Sequence, residues 1–142
     1  TTTIHDSLFV PNKPIYARGG FRNKQGAVVT IADDATAFVS GKVTPGIIKI
    51  TPTADRTKAT PSAADLITDL SLTADNDSFD IVFVNDASST HDLTLSAGTG
   101  VTFIGNEVIK HKDNNDSAAQ SGSAMFKIRR SGSSTVDWIR IA

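Results

Sequence analysis

The sequence predicts an all-β protein, an antiparallel β-sandwich or small barrel with one short helix and an extended N-terminal arm. Three observations carry that expectation. Short runs of alternating apolar residues recur between turn-forming clusters along most of the chain. Glu107 is the only glutamate, every other carboxylate being Asp, and Asp favours turns and caps where Glu favours helix interiors. The chain closes in a hairpin, Ser123 to Arg130 and Thr135 to Ile141, whose connection through Gly132 supplies a permissive backbone. At 142 residues the chain fits a single core. The division expected is an arm over residues 1–25 and one β domain over residues 26–142.

The first 25 residues alternate Pro11, Pro14, Gly19 and Gly20 with isolated apolar side chains, a pattern of extended backbone rather than of a regular element. Leu8, Phe9, Val10, Ile15, Tyr16, Arg18 and Phe21 are the candidate partner-binding residues of this arm. They could serve as an edge strand on their own domain or add to a partner's sheet.

From Ala27 the pattern becomes β. Ala27 to Ile31 and Ala35 to Ser40 are short apolar runs separated by Asp33 and Asp34, and Gly46 to Thr51 alternates as a one-sided strand does. Pro52 to Ala59 is polar and reads as a loop. Thr60 and Pro61 then predict a helix start, with Thr60 as cap, Pro61 at the first helical position, and Leu66, Ile67 and Leu70 on one side. Further strands are expected over Ser78 to Asn85, Asp92 to Ser96, Val101 to Gly105 and Glu107 to Lys112. Within the first, Phe79, Ile81 and Phe83 should face the core, while Val82 and Val84 make the opposite face apolar enough to be covered as well. In the closing hairpin Ala124, Phe126 and Ile128 oppose Met125, Lys127 and Arg129. Val136 and Trp138 share one face of the last strand, with Asp137, Ile139 and Ile141 on the other, so both faces should meet protein.

Composition narrows the chemistry. With no cysteine there is no disulfide, thiolate metal site or cysteine nucleophile. His5, His91 and His111 lack the short spacings that place two ligands on one metal. No Gly-x-Ser-x-Gly elbow presents a serine for attack. Gly98-Thr99-Gly100 lacks the third glycine and following helix of a dinucleotide fingerprint and reads as a turn. Asp75 to Asp80 and Asp113 to Asp116 gather oxygen ligands, as a loop calcium site would, but equally as Asx residues capping their own turns. The Asn76 and Asn115 sequons would matter only on a secretory route. No enzyme activity, cofactor or resident metal is expected.

Charge is uneven. Residues 1–25 carry about +3, residues 26–109 about −7 and residues 110–142 about +3. A nucleic-acid binder would show a more continuous basic face, so no nucleic-acid partner is expected. No stretch approaches the length of a membrane span, and Thr1 to His5 lacks the parts of a signal peptide, so synthesis in a cytoplasm without a membrane partner is expected.

The stretches Leu72 to Phe79 (LTADNDSF), Leu93 to Thr102 (LTLSAGTGVT), Gly105-Asn106 and Ser123 to Thr135 (SAMFKIRRSGSST) resemble segments of structural proteins of tailed phages and large DNA viruses. The resemblance covers about half the chain and consists of strand and turn wording. It implies a virion surface component made in the host cytoplasm, most like a capsid decoration (cement) or head-fibre protein. Such a protein would be a homo-trimer whose arm reaches onto the major capsid protein. The alternative it leaves open is a receptor- or glycan-binding module of a viral fibre or tail, presenting residues 86–91 and 113–121.

Overall fold

A computed structural model describes residues 26–87, 90–111 and 122–142. The arm and its candidate residues Leu8, Phe9, Val10, Ile15, Tyr16, Arg18 and Phe21 lie outside the described residues, as do His5 and Asp113 to Asp116.

Nine strands and one α-helix are described: β1 (Val29–Thr30), β2 (Ile47–Ile50), β3 (Arg56–Ala59), α1 (Ala63–Asp69), β4 (Ser78–Asn85), β5 (Leu93–Ser96), β6 (Val101–Ile104), β7 (Val108–Ile109), β8 (Ser123–Gly132) and β9 (Thr135–Arg140). A six-stranded sheet has the order β1-β2-β4-β8-β9-β6, and a three-stranded sheet the order β3-β5-β7. The described residues are therefore β-rich with one α-helix, as the sequence predicts.

Two parts of the expectation need correcting. The sheets are mixed rather than antiparallel: β1 with β2, β2 with β4, β3 with β5 and β6 with β9 run parallel, while β4 with β8, β8 with β9 and β5 with β7 run antiparallel. Nor does the larger sheet close into a barrel, since it ends at β1 and β6. The physical reason for the parallel pairs is the crossover. Between β2 and β4 the chain leaves to build β3 and α1 and returns in the same direction, which no tight turn permits.

Alternation places the core as expected where strands are long. Ile81 and Phe83 of β4, Ala124, Phe126 and Ile128 of β8, and Val136 and Trp138 of β9 are all buried, while Phe79 is partly buried against them. The registers Ile81 to Phe126 and Ile128 to Trp138 stack these side chains across neighbouring strands. Trp138 lies 6.2 Å from Phe126 and 6.4 Å from Phe83, whose ring meets Phe38 edge-on at 5.6 Å. The smaller sheet adds Leu93, Leu95 and Ile109 to the same cluster, and α1 adds Ala63 and Leu66, with Ile67 and Leu70 packed at its margin.

Local differences have local causes. The helix begins later than predicted: Ser62, not Thr60, is its cap, accepting from the Asp65 amide at 3.2 Å. Thr60 instead accepts from the Gly98 amide at 2.9 Å, and the Ala63 amide donates to the Thr99 carbonyl, so the Gly98-Thr99-Gly100 turn is fastened under the helix start. A Cβ at Gly98 would stand 2.4 Å from the Thr60 carbonyl oxygen, which is why glycine is needed there. The expected loop over Pro52 to Ala59 contains β3, which aligns in parallel with β5 through pairs such as Lys58 with Leu95. The expected strand over Ala35 to Ser40 is irregular chain leading into a 3₁₀ turn, Ser40–Lys42. Ala27 to Ile31 shortens to the two-residue strand β1, and within the expected strand Glu107 to Lys112, whose last residue lies outside the described residues, β7 spans Val108–Ile109.

Candidate functional site

The described chain offers two surfaces with the makings of a site. The first is a cleft of about 540 Å³ over the chain between β1 and the 3₁₀ turn, lined by Thr30, Asp34, Thr36, Phe38, Lys42 and Lys58 among others. Lys58 is 2 % exposed, and its ammonium donates to Asp34 Oδ1 at 2.6 Å and to the Ala32 and Asp34 carbonyls, each at 3.1 Å. All three donors of the ammonium are thus engaged, so the group holds the loop rather than serving as a nucleophile. Asp34 also accepts from the Thr36 amide at 3.0 Å. Hydrogen bonds from Lys58 and Thr36 hold its carboxyl down at about 2. Beside it, Asp33 accepts from Arg56 Nε at 2.6 Å and from Thr53, which holds its carboxyl far below the usual range. These bonds join the loop to β3 from two sides.

The second surface is the face of the six-stranded sheet opposite the core. Register places Ile47 beside Val82, Val82 beside Met125, and Met125 beside Ile141, whose amide donates to the Met125 carbonyl at 2.8 Å. Val28, one residue before the pair Val29 with Ile48, falls beside Ile47. The result is an apolar row across five strands, none of whose members belongs to the hydrophobic core or packs at its margin. Val28 and Ile141 at its ends are 56 % and 53 % exposed. Ile139 and Ile104, paired on β9 and β6, extend the apolar surface, and Ile104 is also exposed. Solvated ion pairs flank it: Lys49 with Asp86 at 3.2 Å on one side, Lys127 with Asp80 at 2.6 Å on the other.

On the outward face of β9, Asp137 is part-buried and bridged by Arg129 and Ile139 is part-buried, while Ile141, just past the strand, stands exposed among the described residues. His111 Nδ1 lies 3.0 Å from Asp92 Oδ1, and the carbonyl of the adjacent His91 accepts from the Asn85 side-chain amide. Asp92 is pushed up by burial but held down overall by its bonds with Lys110 and His111. In the Asp75 to Asp80 turn, Asp77 accepts from the Ala74 amide at 2.9 Å and from Thr73, and the Ala74 bond leads in lowering its carboxyl. Those oxygens cap their own turn. Among the described residues no group of three metal-ligating side chains forms.

Sequence reasoning missed Lys58 and Asn85. Asn85 is fully buried at the end of β4, where its amide donates to the His91 and Ile109 carbonyls, each at 3.0 Å, and its oxygen accepts from the Ala87 amide. It ties the larger sheet to the chain around β5 and β7. The only signal was a polar residue ending an apolar run, which many strand ends share.

No family model, curated protein or solved structure matches the chain.

Proposed function

We propose that this chain is a non-enzymatic structural protein of a virion, a capsid decoration protein. It binds and stabilises the major capsid lattice through residues 1–25 and an oligomeric, trimeric β domain on the capsid surface. Its two sheets are read as the layers of a sandwich. The resemblance of Leu72 to Thr135 to virion structural proteins motivates the reading, and the apolar row Val28, Ile47, Val82, Met125 and Ile141 is the observation that carries it. Such a face gains stability when further polypeptide, the chain's own or a partner's, removes it from water, at roughly 25 cal/mol per Å². A protein whose task is to add contact area needs that and no chemistry.

The test is co-sedimentation with capsids that lack the protein. Deleting residues 1–20 should abolish binding while circular dichroism shows the domain still folded. Full binding by the truncated chain would reject the arm. The cleft beside Lys58 favours a second reading, a receptor- or glycan-binding module of a fibre or tail, because it gathers Thr30, Asp34, Thr36 and Lys42 at a concave surface. Reproducible hits on a glycan array, lost on Lys42→Ala, together with a tail-only location in particles, would favour that reading over decoration.

A further inference from the structure

The apolar row has a shape that selects its occupant. Five strands at about 4.8 Å spacing make it roughly 19 Å long, running across the strands. Charged side chains interrupt the surface beside it, because Lys49 on β2 and the pair Lys127 with Asp80 stand on the same face one step away along the strands, next to the apolar Val84 and Ile139. A second copy's sheet laid flat on this face would cover several rows at once. It would also strip water from the Lys49–Asp86 and Lys127–Asp80 pairs, whose side chains are now solvated, a cost their mutual attraction does not reliably repay. A single extended segment lying along the row covers the apolar side chains and leaves the ion pairs wet.

The chain itself enters at one end of this row. Val28 is its first member, and Gly26 sits so close to the loop before β2 that a Cβ there would stand 2.9 Å from Pro45 Cα. Immediately upstream the sequence carries Phe21, Tyr16 and Ile15. Six residues lie between Phe21 and Val28, and the seven Cα-to-Cα steps can span about 23 Å, so every position on the row is within reach. A tether this short gives an effective concentration in the millimolar range, which a separate partner would have to overcome.

We propose that Ile15, Tyr16 and Phe21 of the chain's own N-terminal segment cover the row. This anchors the root of the arm and leaves Leu8, Phe9 and Val10 for the capsid. The inference rests on the reading of residues 1–25 as the gripping arm and gives that arm a fixed departure point.

Because the chain has no cysteine, engineered pairs report on it directly. In the full-length protein, Ile15→Cys, Tyr16→Cys or Phe21→Cys is combined with Met125→Cys on the row, or with Thr57→Cys, exposed on β3 of the other sheet, as the control. After mild oxidation at low protein concentration, at least one Met125→Cys pair should give monomer-mass disulfide about tenfold faster than its control. Equal rates for all three would overturn the proposal. So would a cross-link found in dimers, which would assign the row to a neighbouring copy's segment.

Circular dichroism of the reduced variants confirms that each pair is compared in a folded chain. The same proteins taken to capsid co-sedimentation separate the two ideas. Capsid binding that depends on residues 1–20, with equal cross-linking rates, would overturn the anchored root and leave the decoration reading standing. Preferential monomer cross-linking without capsid binding would do the reverse.

Discussion

Lys58 shows how one side chain can set a loop. Its ammonium engages Asp34 and two carbonyls at 2 % exposure, so the chain from Ala32 to Asp34 is fastened to β3 by a charge withdrawn from water. Replacing it with Met keeps the apolar stem and removes the charge, leaving two carbonyls and a carboxylate without their donor. Because Asp34 is half exposed, part of that loss is recovered by hydration. Lys58→Met should cost about 1–3 kcal/mol in chemical denaturation, below the range for a wholly buried pair. Acid should act on the same cluster. The folded pKa of Asp34 lies near 2, below its ordinary 3.8, so its stabilisation is full above that ordinary value and fades as pH falls from about 4 to 2. Asp33 is lowered further, which adds to the loss throughout this window and carries it to lower pH. Melting temperature measured against pH should therefore fall below pH 4, and Asp34→Asn should flatten the upper part of that fall.

Elements are decided by partners as much as by propensity. The helix α1 has only seven residues, too short to persist in isolation, so its cap and its contact with the core must hold it. Ser62→Ala should destabilise by about 1 kcal/mol, read as a shift in the urea midpoint. Thr60→Val should act through a different route, freeing the Gly98 amide from its bond and loosening the turn below the helix rather than the helix itself. At the end of β4, Asn85→Ala would strand the Ala87 amide and the His91 and Ile109 carbonyls in a buried setting. About 2–4 kcal/mol is expected, and hydrogen exchange should show the chain around β7 opening before the β8–β9 hairpin. The long strands were legible because alternation over Ser78 to Asn85 and Ser123 to Arg130 repeats often enough to fix which face is inside. β3 was not. Arg56-Thr57-Lys58-Ala59 carries no apolar alternation, and its inward residue is a lysine whose charge is satisfied only by a loop more than twenty positions away in sequence.

For the molecule as a whole, both sheets and α1 contribute to one hydrophobic cluster around Trp138 and Phe83. Unfolding of the described domain should then be a single event. The fluorescence of Trp138, the chain's one tryptophan, and far-ultraviolet circular dichroism should give coincident denaturation curves, and separated midpoints would reveal two cooperative units. The sequence by itself determined the β-rich class, the single helix, the closing hairpin and the inward faces of β4, β8 and β9, because side-chain alternation is a property of each strand alone. It also marked Val82, Val84, Ile139 and Ile141 as apolar on the face away from the core. Only the tertiary structure decided which strands are neighbours and in which direction they run. Those choices depend on where the crossover through β3 and α1 returns, not on any local pattern. Only the register, in turn, lined up Val28, Ile47, Val82, Met125 and Ile141 from separate strands into one row, at the end of which the N-terminal segment joins the fold.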